Sequence, residues 1–146
     1  MLKQFLGLEI EQSNQGIKVS QQKYAANLLL KFKMDEFKAS KFSFLSGIKL
    51  GEFGESPLVD NSLYRQLIGS LLYIRHSRPD LEYGVGVVAI YMHQNHEIHW
   101  KETKRILHYV QGNRHFGVHY VAGSPLELVG FSDSDLPGDP NDRKST

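Results

Sequence analysis

Apolar and polar residues alternate through Gly16–Ser20 (GIKVS), and Phe5, Leu6, Leu8 and Ile10 nearly do so within Gln4–Ile10 (QFLGLEI). With the polar run Glu11–Gln15 and Gly16 between them, the two segments predict a β-hairpin. The period then changes. Tyr24, Leu28, Leu29 and Phe32 follow helical spacing, so a helix is expected from Gln21 to about Lys33, with Ser20 as its cap. Residues 34–58 have no clean period and hold Gly47, Gly51, Gly54 and Pro57, which reads as a connector. Tyr64, Leu67, Ile68 and Leu71 recur at i, i+3, i+4 and i+7, a strong helix with Asp60 at its start and an end before Pro79. Asp80 is the cap candidate for a weaker helix over Leu81 to about Met92, which contains Gly84 and Gly86. Glu97–Gln111 forms another strong helix, with Gly112 placed to end it. Phe116–Val121 and Leu126–Phe131 read as two strands joined across Ala122–Pro125, a second hairpin.

Composition narrows this picture. The chain has 146 residues, 40% hydrophobic and 11% aromatic, enough for a core in one domain or two small subdomains. A net charge of +1 argues against a globally basic nucleic-acid binder but allows a local basic patch. There is no cysteine, so disulfides and thiolate zinc sites are excluded. No apolar run approaches the roughly twenty residues that span a bilayer, and no membrane role is expected. Met1–Leu6 lacks the apolar core of a signal peptide and leads straight into a structured segment, as if the chain began within a domain. A cytoplasmic or nuclear location is expected ahead of secretion.

Four stretches carry candidate chemistry. On the Glu97–Gln111 helix, Lys101, Lys104, Arg105 and His108 share one face, opposite Thr103, Ile106, Leu107 and Val110. Such regular cations suit a phosphate backbone, where each displaces a condensed counterion. On spacing alone, a solvated face partly balanced by Glu97 and Glu102 is the favoured reading. His93, His96 and His99 stand at i, i+3 and i+6 rather than the i, i+4 of a helical metal pair, and no metal is assigned to them. Gly84–Ala89 matches G-x-G-x-x-A, but Arg78-Pro79-Asp80 before it signals a helix start, not the strand a dinucleotide site needs. Asp133, Asp135, Asp139 and Asp142 could contribute oxygens to Mg²⁺. Within ten residues and among Pro137, Gly138 and Pro140, they read first as an acidic surface loop.

Four ordered stretches, FLGLEI…GIKVSQQKYAANLLLKFKM, YRQLIGSLLYIRHSRPDLEY, HWKETKRILHYVQG and GFSDSDLPGDPNDRKST, closely resemble the Pol polyprotein of copia-type LTR retrotransposons, especially plant ones. The resemblance covers nearly the whole chain and implies the region after the catalytic palm of the reverse transcriptase. That is thumb and connection, running into the start of ribonuclease H. It departs from the family at Leu136-Pro137, where Trp-Ala is usual, and at Ser43-Phe44-Leu45, where threonine or serine precedes proline.

The fold implied is α+β: a helical thumb and connection region between an N-terminal β-hairpin and a C-terminal β-hairpin that begins an incomplete ribonuclease H sheet. The implied divisions are 1–58 (end of palm, thumb helix and connector), 59–114 (helical connection) and 115–146 (truncated start of ribonuclease H). Phe5, Leu6, Gly7, Leu8 and Glu9 resemble the primer grip. Asp133 stands where the family's first ribonuclease H metal-binding aspartate lies, a partial site only. Mg²⁺ is implied for the complete parent enzyme, with none bound by this chain alone. The polymerase Tyr-x-Asp-Asp motif does not occur in the sequence, so catalysis by the chain alone is not expected. The implied partner is an RNA–DNA or other duplex, weakly held through Lys101, Lys104, Arg105 and His108, together with other polyprotein domains. No small-molecule substrate is implied. Two further readings stay open: a domesticated protein-interaction module, and part of a longer active RNA-directed DNA polymerase.

Overall fold

A computed structural model describes residues 3–44, 50–51, 56–125 and 129–130. Among these the class is α+β, as expected. Strands β1 (Gln4–Phe5), β2 (Leu8–Ser13), β3 (Gly16–Ser20) and β4 (Gly117–Val121) form one antiparallel sheet in the order β1-β2-β3-β4. Alternation sets the β2–β3 register, with Ile10 opposite Val19 and Gln12 opposite Ile17. The C-terminal strand behaves differently from the expected separate hairpin. β4 runs along β3, pairing Val118 with Val19 and Tyr120 with Ile17. These β-branched and aromatic cross-strand pairs favour that edge. The partner strand expected at Leu126–Phe131 lies outside the described residues, apart from Val129 and Gly130, which join no strand.

Four helices make the body: α1 (Gln22–Lys31), α2 (Asn61–Ile74), α3 (Glu82–Ala89) and α4 (Glu97–Gly112). For α1, α2 and α4 the buried faces are those the periodicity predicts. Leu28 and Leu29 of α1, Leu67, Ile68 and Leu71 of α2, Val85 and Val88 of α3, and Ile106, Leu107 and Val110 of α4 form one core. No strand residue among those described belongs to that core. The sheet is therefore attached to the helical body at its margins.

The helix ends correct several expectations. Ser20 does not cap α1; it is the buried last residue of β3, and Gln21 at the cap position makes no side-chain cap bond. The Glu9 carboxylate does that work from β2, accepting the Lys23 N–H at 2.7 Å. Its negative charge suits the positive end of the helix dipole. At the other end of α1, Lys33 takes a left-handed conformation, and the Lys33 and Met34 N–H groups return to the Leu30 and Leu29 carbonyls. Asp60 caps α2 as expected, accepting from Ser62 and Leu63. α4 opens with a reciprocal box in which the His96 and His99 side chains each accept from the other's backbone N–H.

Asp80 caps nothing. α2 gives way to two short 3₁₀ turns, Arg75–Ser77 and Pro79–Leu81, and the Asp80 carboxylate there serves Arg78. The Arg78 side chain is only 2% exposed. Its Nε and Nη2 donate to the two Asp80 oxygens at 2.9 and 2.7 Å, and Nη1 donates to the Asn113 carbonyl at 2.9 Å. The guanidinium lies 5.6 Å from the Tyr109 ring centre and 5.3 Å from that of Phe116. Burial raises the Asp80 pKa, but hydrogen bonding and charge from Arg78 outweigh it and hold the carboxyl below its ordinary value. One cation thus ties the α2–α3 junction to the C-terminal end of α4.

His99 is fully buried. Its Nδ1 accepts the His96 N–H at 2.8 Å, its Nε2 sits 3.0 Å from the Leu50 carbonyl, and its ring stacks on Tyr91 at 4.0 Å. Acceptor at one nitrogen and donor at the other is the pattern of a neutral imidazole. Burial pushes its pKa down, the Leu50 carbonyl opposes this, and nearby His96 adds to the depression.

Two outcomes are expected. Arg78→Ala should cost about 3 kcal/mol in urea denaturation, since it strands a carbonyl and removes a buried charge pair. Arg78→Lys should recover less than half, because an ammonium cannot reproduce the planar fork; full recovery would show that charge alone matters. For His99, the unfolded chain takes up a proton near pH 6.5 while the native state resists it. The unfolded state then binds more protons, so the His99 contribution is complete above about pH 6.5 and is lost progressively as the pH falls toward the lower native value. The urea midpoint should drop between pH 7.5 and 5.5, and His99→Gln should reduce that drop; an unchanged slope would acquit His99.

Candidate nucleic-acid interface

α4 buries one side and turns Lys101, Lys104, Arg105 and His108 outward, so the structure does bring these four together. They form one wall of a groove of about 410 Å³. The other wall is the connector, through Lys38, Ala39 and Ser40. Three contacts pin the connector there. The His108 Nδ1 lies 3.0 Å from the Lys38 carbonyl, to which it donates, the Ser40 N–H donates to the His108 carbonyl at 3.0 Å, and the Gln111 amide donates to the Asp35 carbonyl.

Gly112 explains how close the connector comes. It is the last residue of α4 rather than the one after it, and a Cβ there would stand 2.8 Å from the Ala39 Cβ. Gly84 similarly faces Phe44 of the connector, at 3.1 Å from a notional Cβ. The first glycine of the G-x-G-x-x-A match therefore serves packing, whereas Gly86 meets nothing within 4 Å. Lys38 and Ser40 were invisible to helical periodicity because they come from the aperiodic connector. The readable signal for them was Gly112, a glycine closing a strong helix.

The four lysine and arginine side chains of the groove are not equivalent. Arg105 donates to the Glu102 carboxylate at 3.0 Å, and the Glu102 side chain is only 7% exposed, so this guanidinium serves mainly to neutralise a buried acid. Lys101 pairs with Glu97 at 3.3 Å on the open surface, a contact of small strength. Lys104 lies 5.8 Å above the Trp100 ring. Lys38 and Lys104 have no ion pair among the described residues.

The segment Phe5–Glu9 is a second feature, held by α2. Leu6 and Gly7, with φ of 46° and 80°, form a two-residue turn between paired Phe5 and Leu8. Positive φ at both central positions is the type I′ signature, which favours Asn-Gly rather than Leu-Gly. The Tyr73 hydroxyl donates to the Leu6 carbonyl, and Tyr24 packs edge-on against Tyr73 at 4.7 Å. Leu6 and Phe5 are exposed at the tip, whereas Glu9 is committed to capping α1.

His93 is exposed, and His96 and His99 build the start of α4. Among the described residues no group of three or more His, Asp or Glu side chains could hold a metal ion. Asp133 and its acidic neighbours lie outside the described residues. No helix among the described residues is long and apolar enough to cross a membrane.

Comparison with known proteins decides the family. The chain is 36% identical over 142 residues to the retrovirus-related Pol polyprotein from transposon RE2 of Arabidopsis thaliana, covering 97% of this chain and 10% of that protein. The Pol polyprotein from transposon RE1 of the same plant is 34% identical, also over 97% of this chain and 10% of its own. The chain belongs to the copia-type retrotransposon Pol polyproteins. It spans about a tenth of the length of these two polyproteins. A segment of this Pol type also matches an uncharacterized mitochondrial protein of Arabidopsis thaliana, at 33% identity over 97% of this chain and 59% of that protein. No family model and no solved structure matches the chain.

In this Pol segment the hairpin tip keeps a leucine where the backbone favours another residue. Leu6→Asn is expected to raise stability by up to about 1 kcal/mol, since asparagine tolerates the left-handed region. Gly7→Ala should lower it, because a Cβ would meet the Tyr73 hydroxyl. Thermal and urea denaturation check both; a loss on Leu6→Asn would mean that the leucine side chain itself stabilises the tip.

Proposed function

We propose that this Pol segment is the part of a reverse transcriptase that follows the palm, thumb and connection running into the start of ribonuclease H, and that its groove holds the phosphate backbone of a template–primer duplex. The observation that carries the reading is the convergence of cations from two distant segments, α4 and the connector, on one groove. Phosphate contacts of this kind position a duplex without reading its sequence. The hairpin tip, with Phe5 and Leu6 exposed and its backbone fixed by Tyr73, suits the holding of a primer end.

The chain by itself makes and breaks no phosphodiester bond on this reading. Two-metal phosphoryl transfer needs several carboxylates converging on ions about 4 Å apart. The sequence holds no Tyr-x-Asp-Asp, and Asp133 is one carboxylate of the ribonuclease H set. Mg²⁺ belongs to the chemistry of the complete parent enzyme.

A filter-binding titration with an RNA–DNA hybrid across salt concentration tests the proposal. With Lys38 and Lys104 unpaired and Lys101 weakly paired, the log–log slope should be about −2 to −3, at roughly −0.9 per neutralised phosphate. Lys38→Ala and Lys104→Ala should each flatten it by about one, and Glu97→Gln, which frees Lys101, should tighten binding. Salt-independent binding, no binding at low ionic strength, or primer extension with magnesium alone would overturn the reading.

A further inference from the structure

We propose that a second copy of the chain docks on the outer face of α3, the two α3 helices packing antiparallel about a two-fold axis. α3 and the turn that follows it, Ile90-Tyr91-Met92, carry one charged side chain, Glu82. A helix apolar on every side is normally covered on every side. Here one side is covered, by burial of Val85 and Val88 in the core, whereas Tyr83 is 72% exposed and Ile90 56% exposed. Tyr83, Gly86 and Ile90 follow at i, i+3 and i+7, so they share one face. A Cβ on Gly86 would meet nothing within 4 Å. The centre of this face is therefore shallow, with a large apolar side chain at each end. The Tyr83 ring is steadied edge-on by Phe44, at 5.6 Å between ring centres.

The charges beside the face choose the partner. Glu82 stands at the N-terminal end of α3 and bonds Arg75, just beyond α2, at 2.6 Å. Arg65 of α2 stands at the other end, its Nε donating to the Met92 carbonyl at 3.0 Å. It forms no ion pair among the described residues. Both charges thus lie on the α2 side of α3, acid at one end and base at the other. A two-fold axis running across the helix keeps that side and exchanges the ends. Tyr83 of one copy then meets Ile90 of the other, and Glu82 of each meets Arg65 of the other. The two Gly86 positions let the helices approach closely at the axis. A patch complementary to itself in this way is what a two-fold dimer requires. One helix face is smaller than the roughly 1,200 Å² at which standard interfaces begin, so the dimer is weak and concentration-dependent.

Sedimentation velocity of the full chain from about 10 to about 300 µM tests the inference. The average mass should rise toward that of a dimer across this range, and Ile90→Arg should weaken association at least about tenfold. Arg65→Glu and Glu82→Arg should each weaken it alone, since each sets like charges together on both sides of the axis. An equimolar mixture of those two variants should restore it, because both cross-dimer pairs are then again opposite in sign. All three side chains are exposed, and an unchanged melting temperature confirms that the variants fold. If the chain stays monomeric throughout, if Ile90→Arg associates as before, or if mixing restores nothing, the inference fails. Protection of Tyr83 only in a longer Pol chain would also overturn it, and would give this face to a neighbouring Pol segment instead.

Discussion

A guanidinium sealed from water must find every hydrogen bond inside the protein, and Arg78 finds its partners in three places. Asp80 supplies a forked carboxylate two residues away, Asn113 supplies a carbonyl from beyond α4, and Tyr109 and Phe116 supply ring faces. The desolvation of such an ion is several kcal/mol, and only a complete shell offsets it. The α2–α3 junction, the end of α4 and the approach to β4 are therefore held in a single arrangement. The groove depends on this too, because α4 can face the connector only while its C-terminal end is fixed.

α4 works on two sides at once. Ile106, Leu107 and Val110 fill the core, while one turn of the same helix presents Lys104, Arg105 and His108. Between the two faces lies Glu102, a nearly buried acid neutralised by Arg105. Among its described residues the connector forms no helix or strand, and it takes its path from α4, through the His108 and Gln111 side chains and the space left by Gly112. A segment with no periodicity thus acquires a defined position, and with it a defined chemistry.

What could be read from the sequence divides by distance along the chain. The β2–β3 hairpin, α2 and α4, and the Asp60 cap rest on contacts within a few residues, and each was legible. So was the common face of Lys101, Lys104, Arg105 and His108, which is set by helical pitch. The features that escaped depend on partners far away. Ser20 lost its cap role to Glu9 of the preceding strand, Asp80 to the needs of Arg78, and Gly112 to Ala39. Lys38 reached the groove only through tertiary docking, and β4 pairs along β3, a strand far away in sequence. Periodicity reports which face of an element is apolar; it does not report what that face or its ends will meet.

The pairing of β3 with β4 joins the two margins of the described chain and encloses all four helices in one loop of roughly a hundred residues. Bringing such distant ends together costs about 4 kcal/mol of chain entropy before any ladder bond compensates. The helices, whose contacts are mostly nearer in sequence, can assemble without that closure. β4 is then the clasp of the molecule, fastened after the body it encircles has taken shape.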